Sequence, residues 1–185
     1  GIPIGCSPNG YNINLNCGST NTETIAKTVP ALSADLGIAL DGDADRVILI
    51  GPKGNIIEGD HILYILACNI NDNHKFNSKI VGTILTNSGL EISLKNKGIK
   101  LYRSDVGDKN VLQLMRQTGS ILGGENSGHI ISLDYSPSGD GLMTALLVMK
   151  AMVERGKSIG ELSHGLELIP QFNHNIETDL TKLSN

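Results

Sequence analysis

The stretch Leu36-Gly37-Ile38-Ala39-Leu40-Asp41-Gly42-Asp43-Ala44-Asp45-Arg46-Val47-Ile48-Leu49-Ile50 reads as two buried β-strands joined by a short acidic loop. Apolar runs of this kind plant the loop at the end of a buried sheet, and ligands of α/β proteins bind at such strand ends. Asp41, Asp43 and Asp45 recur at alternate positions, which turns their side chains to one side of a near-extended backbone. Three mutually repelling carboxylates on one side are costly unless a cation sits between them. Hard oxygens on a short loop suit Mg²⁺, which keeps positions open for a phosphate oxygen. The loop is therefore a candidate site of metal-assisted phosphoryl transfer. A calcium loop of EF-hand type would need Gly where Arg46 stands and Glu where Pro52 stands, which excludes it. An acidic hairpin tip in solvent is the duller alternative, and the apolar strands on both sides argue against it.

Outward from this loop the chain alternates helix and strand. Thr20-Asn21-Thr22-Glu23 has the form of a capping box and predicts a helix to about Leu32. The second strand closes on the turn Gly51-Pro52-Lys53-Gly54, and Asp60 predicts the cap of an amphipathic helix bearing Ile62, Leu63, Ile65, Leu66 and Ile70. The polar segment Asn71–Ser78 has no periodicity and is read as a domain boundary. Beyond it come a strand over Lys79–Thr86 and a helix capped by Ser88 and Glu91, then a strand over Ile99–Arg103 and a helix over Asp108–Gln117 stopped by Gly119. Two short strands, Ser120–Leu122 and His129–Leu133, bracket a loop. A long helix runs from Asp140 to Glu154, and a last one spans Ile159–Leu168 before Pro170. Strands separated by helices predict an α/β fold with two mixed-sheet layers. The first layer is incomplete, because the opening residues read like the exit of a strand with no partner before it. The division is drawn as residues 1–74, 75–170 and a hinge over 171–185.

Composition narrows the function classes. The 185 residues are 39% apolar but only 3% aromatic, with no Trp, so the core is aliphatic. A net charge of −4 and dispersed Lys and Arg argue against nucleic acid as a partner. The longest apolar run, Ile62–Cys68, is too short to span a bilayer, and no secretory signal is visible. Cys6, Cys17 and Cys68 show no CxxC spacing, and reduced thiols in the cytoplasm are expected. An open sheet edge in the first layer would invite a homodimer.

Gly123-Gly124-Glu125-Asn126-Ser127-Gly128-His129 is the second dense cluster. Its glycines let backbone turn sharply and approach a ligand. The Glu125 carboxylate can accept from two adjacent sugar hydroxyls, and Ser127 can donate and accept. His129 can move protons or bind phosphate. Val106-Gly107-Asp108-Lys109 precedes a helix N-terminus, where amides favour an anion and Lys109 adds a charge. His61, His74, His164 and His174 are scattered and read as structural or solvated, and Cys68 as packing.

With these motifs in order, the chain resembles the α-D-phosphohexomutases. Asp41–Arg46 resembles that family's metal-binding loop, and Gly124–His129 its sugar-binding loop. The segments 12–14, 17–20, 34–39, 86–91, 106–108 and 138–141 are similar to the branch that interconverts glucosamine 6-phosphate and glucosamine 1-phosphate. The resemblance implies an isomerase working through a phosphoserine and a bisphosphate intermediate, on a hexosamine phosphate. Asp41, Asp43 and Asp45 would hold Mg²⁺. Arg46, Lys109 and His129 would be catalytic, and Glu125, Ser127 and His129 would bind the sugar. Lys109 stands where that branch usually has arginine and resembles the lysine of the phosphomannomutase branch, which keeps mannose and glucose phosphates as the alternative. The resemblance covers part of a second domain and all of a third. The phosphoserine motif of the first domain and the phosphate loop of the fourth lie outside it, so the chain alone is expected to be inactive. A non-catalytic product that binds metal or sugar phosphate is the other alternative.

Overall fold

The computed structural model of the chain describes residues 1–72 and 78–172. Helix α1 (Glu23–Ala31) precedes strands β1 (Gly37–Leu40), β2 (Val47–Ile50) and β3 (Ile56–Ile57), which pair antiparallel in that order. Gly37 lies opposite Ile50, and Leu40 opposite Val47, so the acidic loop closes a tight β1–β2 connection. After α2 (Gly59–Asp72) comes a four-stranded mixed sheet built from β4 (Lys79–Thr83), β5 (Lys100–Ser104), β6 (Leu122–Gly124) and β7 (Ile130–Ser132). Its order is β5-β4-β6-β7, with β4 parallel to both β5 and β6, and β7 antiparallel to β6. Helices α3 (Ser88–Lys95) and α4 (Asp108–Thr118) supply the crossovers, and α5 (Gly141–Arg155) and α6 (Ile159–Leu162) follow.

Strand alternation sorts side chains to the two faces of each sheet. On β2, Val47 and Leu49 join the main core, while Ile48 and Ile50 pack with Ile25 and Val29 of α1. On β4, Ile80 enters the main core, while Val81 meets Val111 and Met115 of α4. The main core is one body. It contains residues of β2 together with Ile62–Ala67 of α2, Leu90 and Leu94 of α3, and Ala145, Val148 and Ala151 of α5. The apolar face of α2 therefore packs with the four-stranded sheet. No helix among the described residues is long and apolar enough to cross a membrane.

Several local expectations are corrected. The N-cap of α1 is Thr22, without a side-chain bond, and Glu23 pairs with Lys27 instead of closing a box with Thr20. Asn87, not Ser88, caps α3 by accepting from the Gly89 amide, and Glu91 binds Arg103. The last helix ends at Leu162. Gly165 then takes a positive φ of 102°, and the chain turns back so that the Ile169 amide donates to Asn87 Oδ1. Asn87 Nδ2 donates to the Ile169 carbonyl at 2.7 Å. The hinge expected over 171–185 lies outside the described residues apart from Gln171 and Phe172, as do His74 and His174.

Asp60 does not cap α2. It lies buried in the first turn, and its Oδ2 accepts from the Asn87 amide at 2.9 Å, while Oδ1 is buried with no hydrogen-bond partner. Burial pushes this carboxyl above its ordinary value of 3.8, Glu58 adds to the rise, and the Asn87 amide and Arg103 oppose it. A raised folded-state value means the folded chain holds the proton more tightly than the unfolded one. Stability is then lost as pH rises from 3.8 through the folded value. Asp60→Asn removes that loss. In urea unfolding the variant's stability relative to the parent is expected to improve between pH 3 and pH 7, and an unchanged difference would contradict the assignment.

Candidate active site

The β1–β2 loop gathers the three acids as the sequence predicts. Carboxylate oxygens of Asp41, Asp43 and Asp45 lie within 4.8 Å of one another, with Asp41 buried, Asp43 exposed and Asp45 between. Two features shape the loop. Ala44 adopts φ +60°, which folds the loop back, and its carbonyl accepts from the Gly141 amide at the start of α5. Arg46 then braces Asp41 twice, from its amide to Oδ1 at 3.1 Å and from Nε to Oδ2 at 2.6 Å.

The electrostatics favour a cation. Burial pushes Asp41 up, but the Arg46 amide and guanidinium outweigh it and hold the carboxyl below its usual range. Asp45 moves the other way, raised first by burial and then by Asp41. Arg46 Nε is 3.5 Å from Asp45 Oδ1, but that oxygen has no hydrogen-bond partner. An oxygen-only donor set in which one buried oxygen has no hydrogen-bond partner fits a hard divalent ion.

The β6–β7 loop is stitched to the acidic loop. Arg46 and His129 face each other as an isolated antiparallel bridge, and the Val47 amide donates to the Gly128 carbonyl at 3.1 Å. Gly128 has φ +94°, and a Cβ there would collide with the Val47 carbonyl. The Gly59 amide donates to Asn126 from below. His129 is buried, with Nδ1 3.1 Å from Asp45 Oδ2. Glu125 Oε1 accepts from the Gly107 amide at 2.9 Å, which links this loop to the head of α4. Ser127 and Lys109 are exposed.

Sequence reasoning thus finds the acids, the Gly-rich loop and the α4 loop, and the structure joins all three. It misses the role of Gly139, where a Cβ would press on the His129 ring, and of Gly141, whose amide holds the acidic loop. In the sequence these residues enter only within segment 138–141, as part of the resemblance, and contacts in the fold give them their role.

The sequence model described as phosphoglucomutase/phosphomannomutase, alpha/beta/alpha domain III, matches residues 58–168. A phosphoglucosamine mutase of Nitrosococcus oceani is 49% identical over 174 residues, covering 94% of this chain and 39% of its own length. One from Legionella pneumophila strain Lens is 44% identical over 178 residues, covering 96% of this chain and 39% of its own. The chain thus spans about two fifths of the length of these curated relatives. A solved phosphoglucomutase/phosphomannomutase family protein of Burkholderia thailandensis superposes with a TM-score of 0.68 at 27% identity, over 80% of this chain and 32% of that one. By the domain III match over more than half of its residues, the chain belongs to the phosphoglucomutase/phosphomannomutase family, the α-D-phosphohexomutases.

Proposed function

We propose that this chain carries the metal-binding and sugar-binding loops of a phosphoglucosamine mutase, which interconverts glucosamine 6-phosphate and glucosamine 1-phosphate. The junction of the two loops carries the reading: a carboxylate trio is bound through Arg46, Val47 and Asp45 to the loop bearing Glu125 and Ser127. The identity with phosphoglucosamine mutases supports the choice of a hexosamine phosphate.

Mg²⁺ held by Asp41, Asp43 and Asp45 would supply positive charge against a transferring phosphoryl group. Arg46 keeps Asp41 ionised and aimed. Glu125 spends one oxygen on Gly107 and offers the other to a sugar hydroxyl, beside the exposed Ser127 hydroxyl. Lys109, exposed at the head of α4, reaches for phosphate as a point charge rather than a fork. The phosphoryl carrier is a phosphoserine outside these residues, so the chain alone binds without turning over. The proposed division is residues 1–74, 75–170 and a hinge over 171–185, with α2 packing on the later sheet. The sheet order leaves β1 as an edge along which a second copy could pair.

Lys109 favours one second reading, a mutase of mannose or glucose phosphates. A coupled assay of the intact protein with Mg²⁺ and a trace of sugar bisphosphate separates the two. The expected preference for glucosamine 6-phosphate over mannose 6-phosphate is roughly 10²-fold in kcat/KM. The reverse preference would select the second reading. Glu125→Gln keeps an acceptor for Gly107 but loses the charge, so KM for the sugar phosphate is expected to rise about tenfold with unchanged Tm.

A further inference from the structure

The loop bearing Glu125 and Ser127 is held from two sides, and the two sides carry opposite charge. On one, Glu125 Oε1 accepts from the Gly107 amide at the head of α4, where Lys109 stands exposed. On the other, the Gly59 amide donates to the Asn126 carbonyl at 3.1 Å, and a Cβ at Gly59 would strike the Glu125 carbonyl. The head of α2 therefore lies hard against the loop, with Glu58 and Asp60 on either side of Gly59. We propose that this acidic face is a subsite for the ammonium group of an amino sugar phosphate, with Glu58 as its contact and Asp60 as the buried charge behind it. The inference rests on reading residues 124–129 as a sugar-binding loop, and it names the group that sets the substrate class.

Acidic residues suit the first turn of any helix, so the charges alone decide nothing. The deciding observation is Asp60. It is 5% exposed, its Oδ2 accepts from the Asn87 amide, and its Oδ1 has no hydrogen-bond partner. A buried carboxylate oxygen without a donor is costly, and a donor that is also a cation offsets that cost best. Asp60 lines a cavity of about 370 Å³ together with Glu58, Asn87, Asn126 and Gln171. Among the described residues no Lys, Arg or His lines it. The Arg103 guanidinium, which acts on Asp60, is already bound to Glu91 and to the Thr83 and Thr86 carbonyls. Glu58 adds to the cost, because its charge repels that of Asp60. A cation brought by the ligand relieves both carboxylates at once.

The layout of charge matches one ligand class. A hexosamine phosphate carries an ammonium and a phosphate on the same sugar. The loop offers it a cation at Lys109 on one flank and two carboxylates on the other. Glucose and mannose phosphates bring a hydroxyl in place of the ammonium, and an N-acetyl sugar brings a neutral amide. Each leaves the two carboxylates without a counter-charge, and polar groups left unpaired in this way discriminate strongly.

The test uses the intact protein with Mg²⁺ and a trace of sugar bisphosphate, and compares kcat/KM for glucosamine 6-phosphate with that for glucose 6-phosphate. Glu58→Gln keeps the size of the side chain and loses its charge, so the ratio of the two values is expected to fall roughly 10- to 100-fold. Asp60→Asn keeps an acceptor for the Asn87 amide and is expected to lower the ratio in the same direction. Glu58→Asp keeps the charge and is expected to retain most of the preference. An unchanged ratio in both Glu58→Gln and Asp60→Asn, or equal losses in Glu58→Asp and Glu58→Gln, would overturn the proposal. If the parent prefers glucosamine 6-phosphate and all three variants keep that preference, the proposed function stands and only the ammonium subsite falls. A parent that prefers glucose or mannose 6-phosphate would sink both.

Discussion

Asp43→Ala will leave the chain as stable as the parent and strip it of divalent metal. Asp43 is the exposed member of the trio, and among the described residues its side chain makes no hydrogen bond that holds the loop together. Removing it leaves the Arg46 bracing of Asp41 and the His129 contact to Asp45 in place. Substitutions at such surface positions usually fall within about 0.5 kcal/mol in stability. One fewer charge among crowded carboxylates pushes the balance towards greater stability in the absence of metal. Function moves in the opposite direction. Loss of a charge-stabilising element in phosphoryl transfer is expected to lower turnover of the intact protein by roughly 10²- to 10³-fold. Calorimetric Mg²⁺ titration of the chain, paired with thermal unfolding, checks both halves. A variant that kept full Mg²⁺ affinity would remove the trio from the mechanism.

Gly128→Ala is expected to do the reverse, damaging stability first. The residue has φ +94°, and its missing Cβ is where the Val47 carbonyl lies. Left-handed backbone costs a non-glycine residue about 1–2 kcal/mol. Moving aside also threatens the Val47 amide bond to the Gly128 carbonyl, worth about 1 kcal/mol. A loss of about 2–4 kcal/mol follows in urea unfolding. The same change unseats His129 from Arg46, so Mg²⁺ affinity should fall even where the variant remains folded. A neutral outcome in both measurements would mean that the two loops are not held together at Gly128.

What was legible in the sequence was whatever rests on local pattern. The strands around the acidic loop, the α4 helix closed by left-handed Gly119, and the α5 helix opened by Asp140 follow from apolar runs and terminal residues. The acids and the Gly-rich loop stood out for the same reason. The capping boxes mislead because Thr22, two residues after Thr20, and Asn87, one residue before Ser88, take the N-cap role. Strand β3, two residues long, is too short to leave a pattern. Helix α6 ends early, before Gly165 at φ 102°, and Asn87, distant in sequence, captures the Ile169 backbone beyond it. In the site, the contacts of His129 with Asp45 and of Glu125 with Gly107 each join segments distant in the chain. No spacing rule carries that information; only the packed fold does.

Helix α5 has a consequence for modularity. Its Ala145 and Val148 share one core with Val47 and Leu49 of the first sheet and with Leu122 and Ile130 of the second. A hybrid that took residues 1–57 from one relative and the remainder from another would exchange one wall of that core and keep the opposite wall. Recombination within the family is thus constrained less by the linker between the sheets than by the helix that faces both. Compatible parents are those whose side chains opposite α5 match in volume, whatever their identity elsewhere.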